Sequence, residues 1–259
     1  MIKNKSSCTD IAIIVGSRIN ATSYADATDR ILQCVNKGKG GYVCAANVHM
    51  VMEGYDNVEF QNVINQALLV TPDGVPLVWM LRRLGFPKQG RVYGPSLMLE
   101  LCKRVENSGV AIGLYGGTQE CLDKLRISLL AIFPNLRINY YFSPPFRALT
   151  DDEDAEIVTS INDAGIGILF VGLGCPKQER WMAAHASRIK AVQIGVGAAF
   201  AFHAGLISQA PGIFQRLGCE WLYRLIAEPR RLWFRYLYHN PRFICLATLQ
   251  LLKKIKATA

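Results

Sequence analysis

The chain predicts an α/β fold: a Rossmann-like, mostly parallel sheet with helices on both faces, followed by a helical C-terminal appendage. Three observations predict it. Short β-branched or aromatic runs alternate with longer amphipathic stretches through residues 1–210. Most of the short runs end in Gly, Pro or Asn, as strands do when a tight turn leads into a helix. From 211 to 259 the strand-like runs stop and only helical spacing continues.

In order, strands are expected at 11–15 (IAIIV), 41–47, 67–72, 110–117, 138–142, 166–174 and 191–197. Helices are expected between them at 23–36, 57–66, 95–107, 118–132, 151–164 and 177–188. Strands that alternate with helices form parallel sheets covered on both faces. Ligands of such sheets gather beyond the carboxyl ends of the strands. The tail begins with a helix over 213–228, where Leu217, Trp221, Leu222 and Leu225 recur at roughly helical intervals. Pro229 opens a second helix that Asn240-Pro241 is expected to end. An uncharged stretch from Phe243 to Leu252 and three lysines follow.

Of the 259 residues, 51% are hydrophobic and 19% charged, which supports a substantial core and excludes a disordered chain. No apolar run reaches the roughly 18–20 residues that a membrane helix needs. The N-terminal apolar stretch, Ile11 to Val15, is too short for a signal peptide. A cytoplasmic protein is expected. Eight scattered cysteines form no Cys-x-x-Cys and read as reduced thiols, and the four histidines show no ligand spacing. The net charge of +9 belongs to the tail: from Pro211 onward nine Lys/Arg face two Glu, with eight of the aromatic residues. That combination suits an anionic surface, whether phospholipid, nucleic acid or a phosphorylated substrate.

Several residues at predicted strand ends are candidates for chemistry. Thr71-Pro72-Asp73-Gly74 has ordinary turn chemistry, yet it puts the Asp73 carboxylate where ligands bind. Asn47 follows an apolar strand directly. Gly116-Gly117, Gly174 and Gly197 end strands without completing a dinucleotide fingerprint, but they can bring backbone N–H groups to a phosphate. In "GLGCPKQERWM", Pro176 suits a first helical turn, and Lys177, Gln178 and Glu179 follow at the cleft. Asp152-x-Asp154 has a metal-binding spacing, but Thr150 and its run of acids read as a helix N-terminus. His203 reads as a packed histidine. Arginine forks at Arg224, Arg231 and Arg235 match phosphate geometry.

The segments "TPDGVPLVW", "VYGPSLM", "LYGGTQE", "YYFSPPFR", "FVGLGCPKQERWM" and "QAPGIFQRLGCEWLYRLIAEPRRLWFRYL" occur in an order and at spacings that resemble the WecG/TagA/CpsF family of bacterial glycosyltransferases. The resemblance runs from about residue 11 to residue 243. It implies an inverting, metal-independent transfer of a sugar from a UDP-sugar to a polyprenyl-diphosphate-linked acceptor in cell-surface or exopolysaccharide biosynthesis. It also implies a Rossmann-like body and an appendage that completes the active site and attaches the enzyme to the inner face of the membrane. By motif, Asp73 matches the family's proposed general base, and Asn47 and Gln178 match polar residues of its cleft. Arg224, Arg231 and Arg235 match arginines that reach the donor diphosphate. No cofactor or metal is implied, no nucleic acid is expected as partner, and a homo-oligomer is compatible with these features. Two departures concern the donor sugar: Ala45-Ala46-Asn47 stands where relatives often have Thr-Pro-Asn, and Phe200-Ala201-Phe202 where many have Phe-Asp-Phe.

Two other readings compete. A nucleotide-dependent oxidoreductase would use the same sheet, but the absent G-x-G-x-x-G counts against it. A non-catalytic, membrane-associated nucleotide-binding scaffold would have no use for Asp73, Gln178 and Arg224 together.

Overall fold

The structure is a computed structural model that describes residues 10–212, 214 and 220–258; the side chains of Arg231 and of residues 254–258 also lie outside the described residues. Six parallel strands form the central sheet. They are β3 (Gly41–Ala46), β4 (Leu69–Pro72), β5 (Ala111–Gly116), β6 (Ile138–Phe142), β7 (Ile166–Gly172) and β8 (Val192–Gly195), in the order β4-β3-β8-β7-β5-β6. The α/β fold read from the alternating pattern is the observed one.

Alternation along each strand divides the core in two. In β3, Tyr42, Cys44 and Ala46 face one apolar cluster while Val43 faces the other; in β7, Leu169 and Val171 oppose Ile168 and Phe170. Helices α1 (Tyr24–Asn36), α5 (Gly94–Val105), α6 (Gln119–Ile132) and α9 (Ala199–His203) cover the second face. The first face takes α2 (Val48–Asp56), α3 (Val58–Gln66), α4 (Val75–Arg83), α7 (Asp151–Asp163) and α8 (Lys177–His185).

Three elements differ from the sequence reading. Ile11–Ile14 (β1) does not join the sheet; it pairs antiparallel with Ser17–Asn20 (β2), through Val15 at φ 48° and Gly16 at φ 83°. This turn chemistry in a short stretch outweighed the strand pattern. Helices α2 and α4 were not expected, because Asn47 and the Asp73-Gly74 turn look like loop. Both residues instead lead straight into helices. Asn47 caps α2, its Oδ1 accepting from Met50 N at 3.2 Å, and Pro76 sits in the first turn of α4.

The tail supplies α10 (Glu220–Ala227) and α11 (Pro229–Thr258), while Arg216 and Leu217 lie outside the described residues. Pro241 does not end the helix as expected; α11 runs through it. Proline removes one intrahelical hydrogen bond, at Leu237 C=O, at a cost of about 3 kcal/mol. Tertiary contacts on both sides offset that loss. His239, Phe243 and Ala247 are buried, and Arg242 pairs with Asp56 of α2. Gln250 accepts from Val15 N at 3.0 Å and donates to Ile13 O at 2.6 Å, joining the tail to the β1–β2 hairpin.

Candidate active site

A cavity of about 440 Å³ opens where the carboxyl ends of β3 and β4 meet the tail. Asn47 and Asp73 line it from the sheet, Arg91 and Tyr93 from the segment before α5, and Glu220, Arg224 and Arg235 from the tail helices. Trp221, Leu237, Phe243 and Ile244 give it an apolar stretch of wall, beside His49 and Asn240.

Asp73 is fixed by its backbone first. Asp73 N and Gly74 N both donate to Ala46 O, at 2.9 and 3.0 Å, so the turn is held at the end of β3. Gly74 lets the chains approach closely there, since a Cβ would lie 3.1 Å from Asn47 Cα. Arg91 then holds the side chain: Nη2 donates to Asp73 Oδ1 at 3.0 Å, and Nε donates to Asp73 O. The other arm, Nη1, donates to Glu220 Oε2 at 2.8 Å, and Tyr93 OH donates to Glu220 Oε1 at 2.9 Å. The Arg91 guanidinium also lies over the Tyr93 ring, 4.0 Å from its centroid.

Burial pushes the Asp73 carboxyl up to about 6, against the opposing pull of Arg91 and with the added push of the Glu220 charge. A carboxylate near 6 is ionised at neutral pH and more basic than an exposed one. Arginine on the facing wall supplies positive charge. Arg224 has its Nε buried without a hydrogen-bond partner among the described residues, and its guanidinium lies 5.6 Å from the Phe202 ring centroid. Arg235 Nη2 reaches Asn47 Oδ1 at 3.5 Å.

A second cavity, of about 710 Å³, lies beyond β5, β6 and β7. Gly117 and Lys177 line it, with Tyr115, Pro144, Arg147 and Trp181. The Trp181 ring stacks on Tyr115 and on His185, each at 4.3 Å. Gly116, at φ 116°, packs where a Cβ would fall 2.7 Å from the Gly172 backbone.

The predicted residues therefore divide between two places. Asp73, Asn47, Arg224 and Arg235 come together in the first cavity, Gly117 and Lys177 in the second. Gln178 lines neither; it is buried, its Oε1 accepting from Gly174 N at 3.2 Å and its Nε2 donating to Glu179 Oε1 at 2.7 Å. Gly195 makes room for it, since a Cβ there would meet Gln178 Nε2 at 2.9 Å, and Gly197 flanks the same amide. Glu179 is fully buried and its carboxyl is pushed up to about 7 by that burial. The Arg231 side chain lies outside the described residues.

Sequence reasoning missed Arg91, Tyr93 and Glu220 as site residues. Their signal was present as Arg-x-Tyr ahead of "GPSLM" and as the acid opening "EWLYRL", but no periodicity marks residues that meet only in three dimensions.

Asp152-x-Asp154 opens α7. Thr150 and Glu153 make a capping box, and Asp154 lies 2.7 Å from His185 Nε2 and pairs with Arg188. His203 is packed, its Nε2 lying 3.0 Å from Pro95 O. The fold does bring together His49, Glu53 and His239, whose spacing gave no hint of it, with Glu53 Oε1 at 3.7 Å from His49 and 3.5 Å from His239. Burial and the neighbouring Arg235 charge press the His49 imidazole down to about 3, and burial, with Arg242 and Arg235 against Glu53 and Asp56, lowers His239 as well. These cations oppose a metal ion there, and the trio forms part of the α2–α11 contact.

A parallel sheet with a largely buried acid and converging arginines at its carboxyl edge has the arrangement of an α/β ligand-binding cleft. Residues 12–257 match the sequence profile of the Glycosyl transferase WecG/TagA/CpsF family, and the chain belongs to that family of glycosyltransferases. It is similar to the N-acetylglucosaminyldiphosphoundecaprenol N-acetyl-beta-D-mannosaminyltransferase of Staphylococcus aureus (strain NCTC 8325 / PS 47), at 30% identity over 192 residues covering 74% of each chain. It is similar as well to the protein of the same name from Bacillus spizizenii (strain ATCC 23059 / NRRL B-14472 / W23), at 26% identity over 211 residues, 81% of this chain and 79% of that one.

Proposed function

We propose that this protein transfers a sugar, with inversion and without a metal, from a UDP-sugar to a polyprenyl-diphosphate-linked N-acetylglucosamine at the inner face of the membrane. The acceptor follows the relatives' names, which also favour N-acetylmannosamine as the sugar transferred. The observation that carries the reading is Asp73, a buried carboxylate fixed by Arg91 and faced by Arg224 and Arg235 across one cavity.

The acceptor hydroxyl attacks the anomeric carbon from the face opposite UDP. As the new C–O bond forms and the bond to UDP breaks, the hydroxyl proton passes to Asp73. UDP leaves with the electron pair of the broken bond, and Arg224 and Arg235 stabilise the charge it gains. The carboxyl edge of the sheet is followed by Asp73, Asn47, Gly197, Gly174 and Gly117, one or two residues past the ends of successive strands β4, β3, β8, β7 and β5. Four strand spacings make about 19 Å, which lets a donor lie along the edge with its sugar by Asp73 and its uridine towards the second cavity. Gln178 lies buried beneath that edge and supports the Gly174 turn, accepting from its N–H.

Residues 211–259 act in this reading as the unit that completes the site and holds the membrane. No helix among the described residues is long and apolar enough to cross a bilayer. Yet Trp221, Ile226, Trp233, Phe234, Leu237 and Ile244 are exposed on α10 and α11 amid arginines, a composition that suits the interface of an anionic membrane.

The test is UDP release from a panel of UDP-sugars in EDTA, with and without a short-chain polyprenyl-diphosphate-N-acetylglucosamine. Acceptor-dependent release from one donor is expected. UDP binding without release from any donor would remove the transfer reading, and restoration only by added Mn²⁺ would remove metal independence.

A further inference from the structure

Glu220 belongs to the tail, whereas Asp73 and Arg91 belong to the body, and the three share one guanidinium. Arg91 gives Nη2 to Asp73 at 3.0 Å and Nη1 to Glu220 at 2.8 Å. All three side chains are largely buried, at 21% exposure for Arg91, 14% for Asp73 and 12% for Glu220. Tyr93 holds Glu220 in place from the other oxygen, at 2.9 Å. A planar guanidinium freed of Glu220 has a second arm with which to grip Asp73 as a bidentate fork.

We propose that Glu220 is a positioning residue: by taking one arm of Arg91 when the tail helices are docked, it leaves Asp73 held by only one arm of that guanidinium and able to accept the acceptor's proton. This rests on the reading of Asp73 as the general base. It makes proton acceptance conditional on a docked tail, so the base is strongest when the arginines that receive UDP are also in place. Undocking returns Arg91 wholly to Asp73 and weakens the base. The charged and titratable groups facing Asp73 are Arg91 and Glu220, with the Tyr93 hydroxyl beside them and His49, Arg224 and Arg235 on the cavity walls. The Glu220 charge raises the Asp73 carboxyl and Arg91 lowers it, which agrees in sign with the proposed division.

The test follows the Asp73 carboxyl directly, by ¹³C NMR of full-length protein labelled at aspartate carboxyls. Its resonance is identified by its loss in Asp73→Asn. Glu220→Gln is expected to move the Asp73 midpoint to lower pH and Glu220→Asp to bring it back. Transfer by Glu220→Gln should fall a few-fold on its plateau, as base strength falls, with the acid limb moved to lower pH. A packing role alone would lower transfer at every pH without moving the limb. An Asp73 midpoint unchanged in Glu220→Gln, or not restored by Glu220→Asp, would overturn the proposal. If Glu220→Gln does not fold, Tyr93→Phe keeps both charges but frees Glu220 from its second partner, and should move the midpoint to lower pH by a smaller amount; an unchanged or raised midpoint would overturn the proposal equally. The NMR arm needs no turnover, so a wild-type protein that transfers nothing would sink the base reading separately from this one.

Discussion

Arg242 of α11 meets Asp56 of α2 through both arms of its guanidinium, Nη1 to Oδ2 at 2.8 Å and Nη2 to Oδ1 at 2.5 Å. This fork joins the tail to the body one residue beyond Pro241. Both side chains are about a third exposed, so the pair is screened, and pairs of this kind contribute about 0.2–1 kcal/mol. Arg242→Ala should therefore lower Tm by no more than about 2–4 °C. Asp56→Lys sets two like charges face to face. It should loosen α11 selectively, read as faster amide hydrogen exchange in residues 242–252 with the sheet unaffected. Uniform exchange throughout would contradict a local latch.

Asp73→Asn keeps the size of the side chain and removes its basicity. General-base catalysis contributes about 10²–10⁴-fold, and a loss in that range is expected with donor affinity retained. Donor affinity is read by titration calorimetry with UDP. A variant with undiminished turnover removes Asp73 as the base.

The pH dependence follows from the same residue. The folded-state carboxyl sits near 6, above its ordinary value of 3.8, so the native protein holds a proton over a window where the unfolded chain has lost it. Transfer should be lost as pH falls through about 6. Stability should change the other way: the raised carboxyl is a penalty fully present above 6 and relieved between about 6 and 4. Glu179, pushed up to about 7, adds to that trend with the same sign. Denaturant melts of wild type and Asp73→Asn between pH 5 and 8 separate the two contributions, and a wild type that loses stability on acidification over that window would refute the assignment.

What the sequence made legible was whatever depends on local spacing. Strand and helix alternation alone places Asp73, Asn47 and the glycines at the carboxyl edge. Thr150 followed by acids read as a cap, and it is one. What it hid was whatever depends on chain crossing. Arg91 and Glu220 are 129 positions apart and meet only because the tail folds back over β4. Pro241 misled for a related reason: local chemistry says stop, and burial of Phe243 and Ala247 against the body keeps the helix going. The N-terminal strand pattern was real, but a turn at Val15-Gly16 turned it into a hairpin before it could reach the sheet.

Two glycines of the predicted phosphate-binding set should respond differently to alanine. Gly116 combines φ 116° with a Cβ position 2.7 Å from the Gly172 backbone, so backbone must move. Gly174, at φ 80°, has open space within 4 Å and bears only the conformational penalty, about 1–2 kcal/mol. Gly116→Ala should lose more than that, upward of about 3 kcal/mol, as large values mark strained or overpacked sites. Equal losses in chemical denaturation would show that the β5–β7 approach is more yielding than its geometry implies.

The exposed apolar side chains of the tail give the last prediction. Trp233 and Phe234 are 53% and 56% exposed on α11, so neither contributes much to the core. Replacing both with serine should leave Tm within a few degrees, because their ring contacts, with each other and with Tyr238, lie on the exposed face of α11 rather than in the core. The same change should weaken binding to vesicles containing anionic phospholipid. Such insertion draws on buried aromatic area together with attraction to basic residues, and Arg230, Arg235 and the lysines from 253 onward remain. Turnover of a water-soluble, short-chain acceptor should survive, whereas turnover of a full-length acceptor in vesicles should fall. That split separates a docking surface from a catalytic one: equal loss on both acceptors would place Trp233 and Phe234 in the active-site wall, and equal retention would remove them from membrane contact.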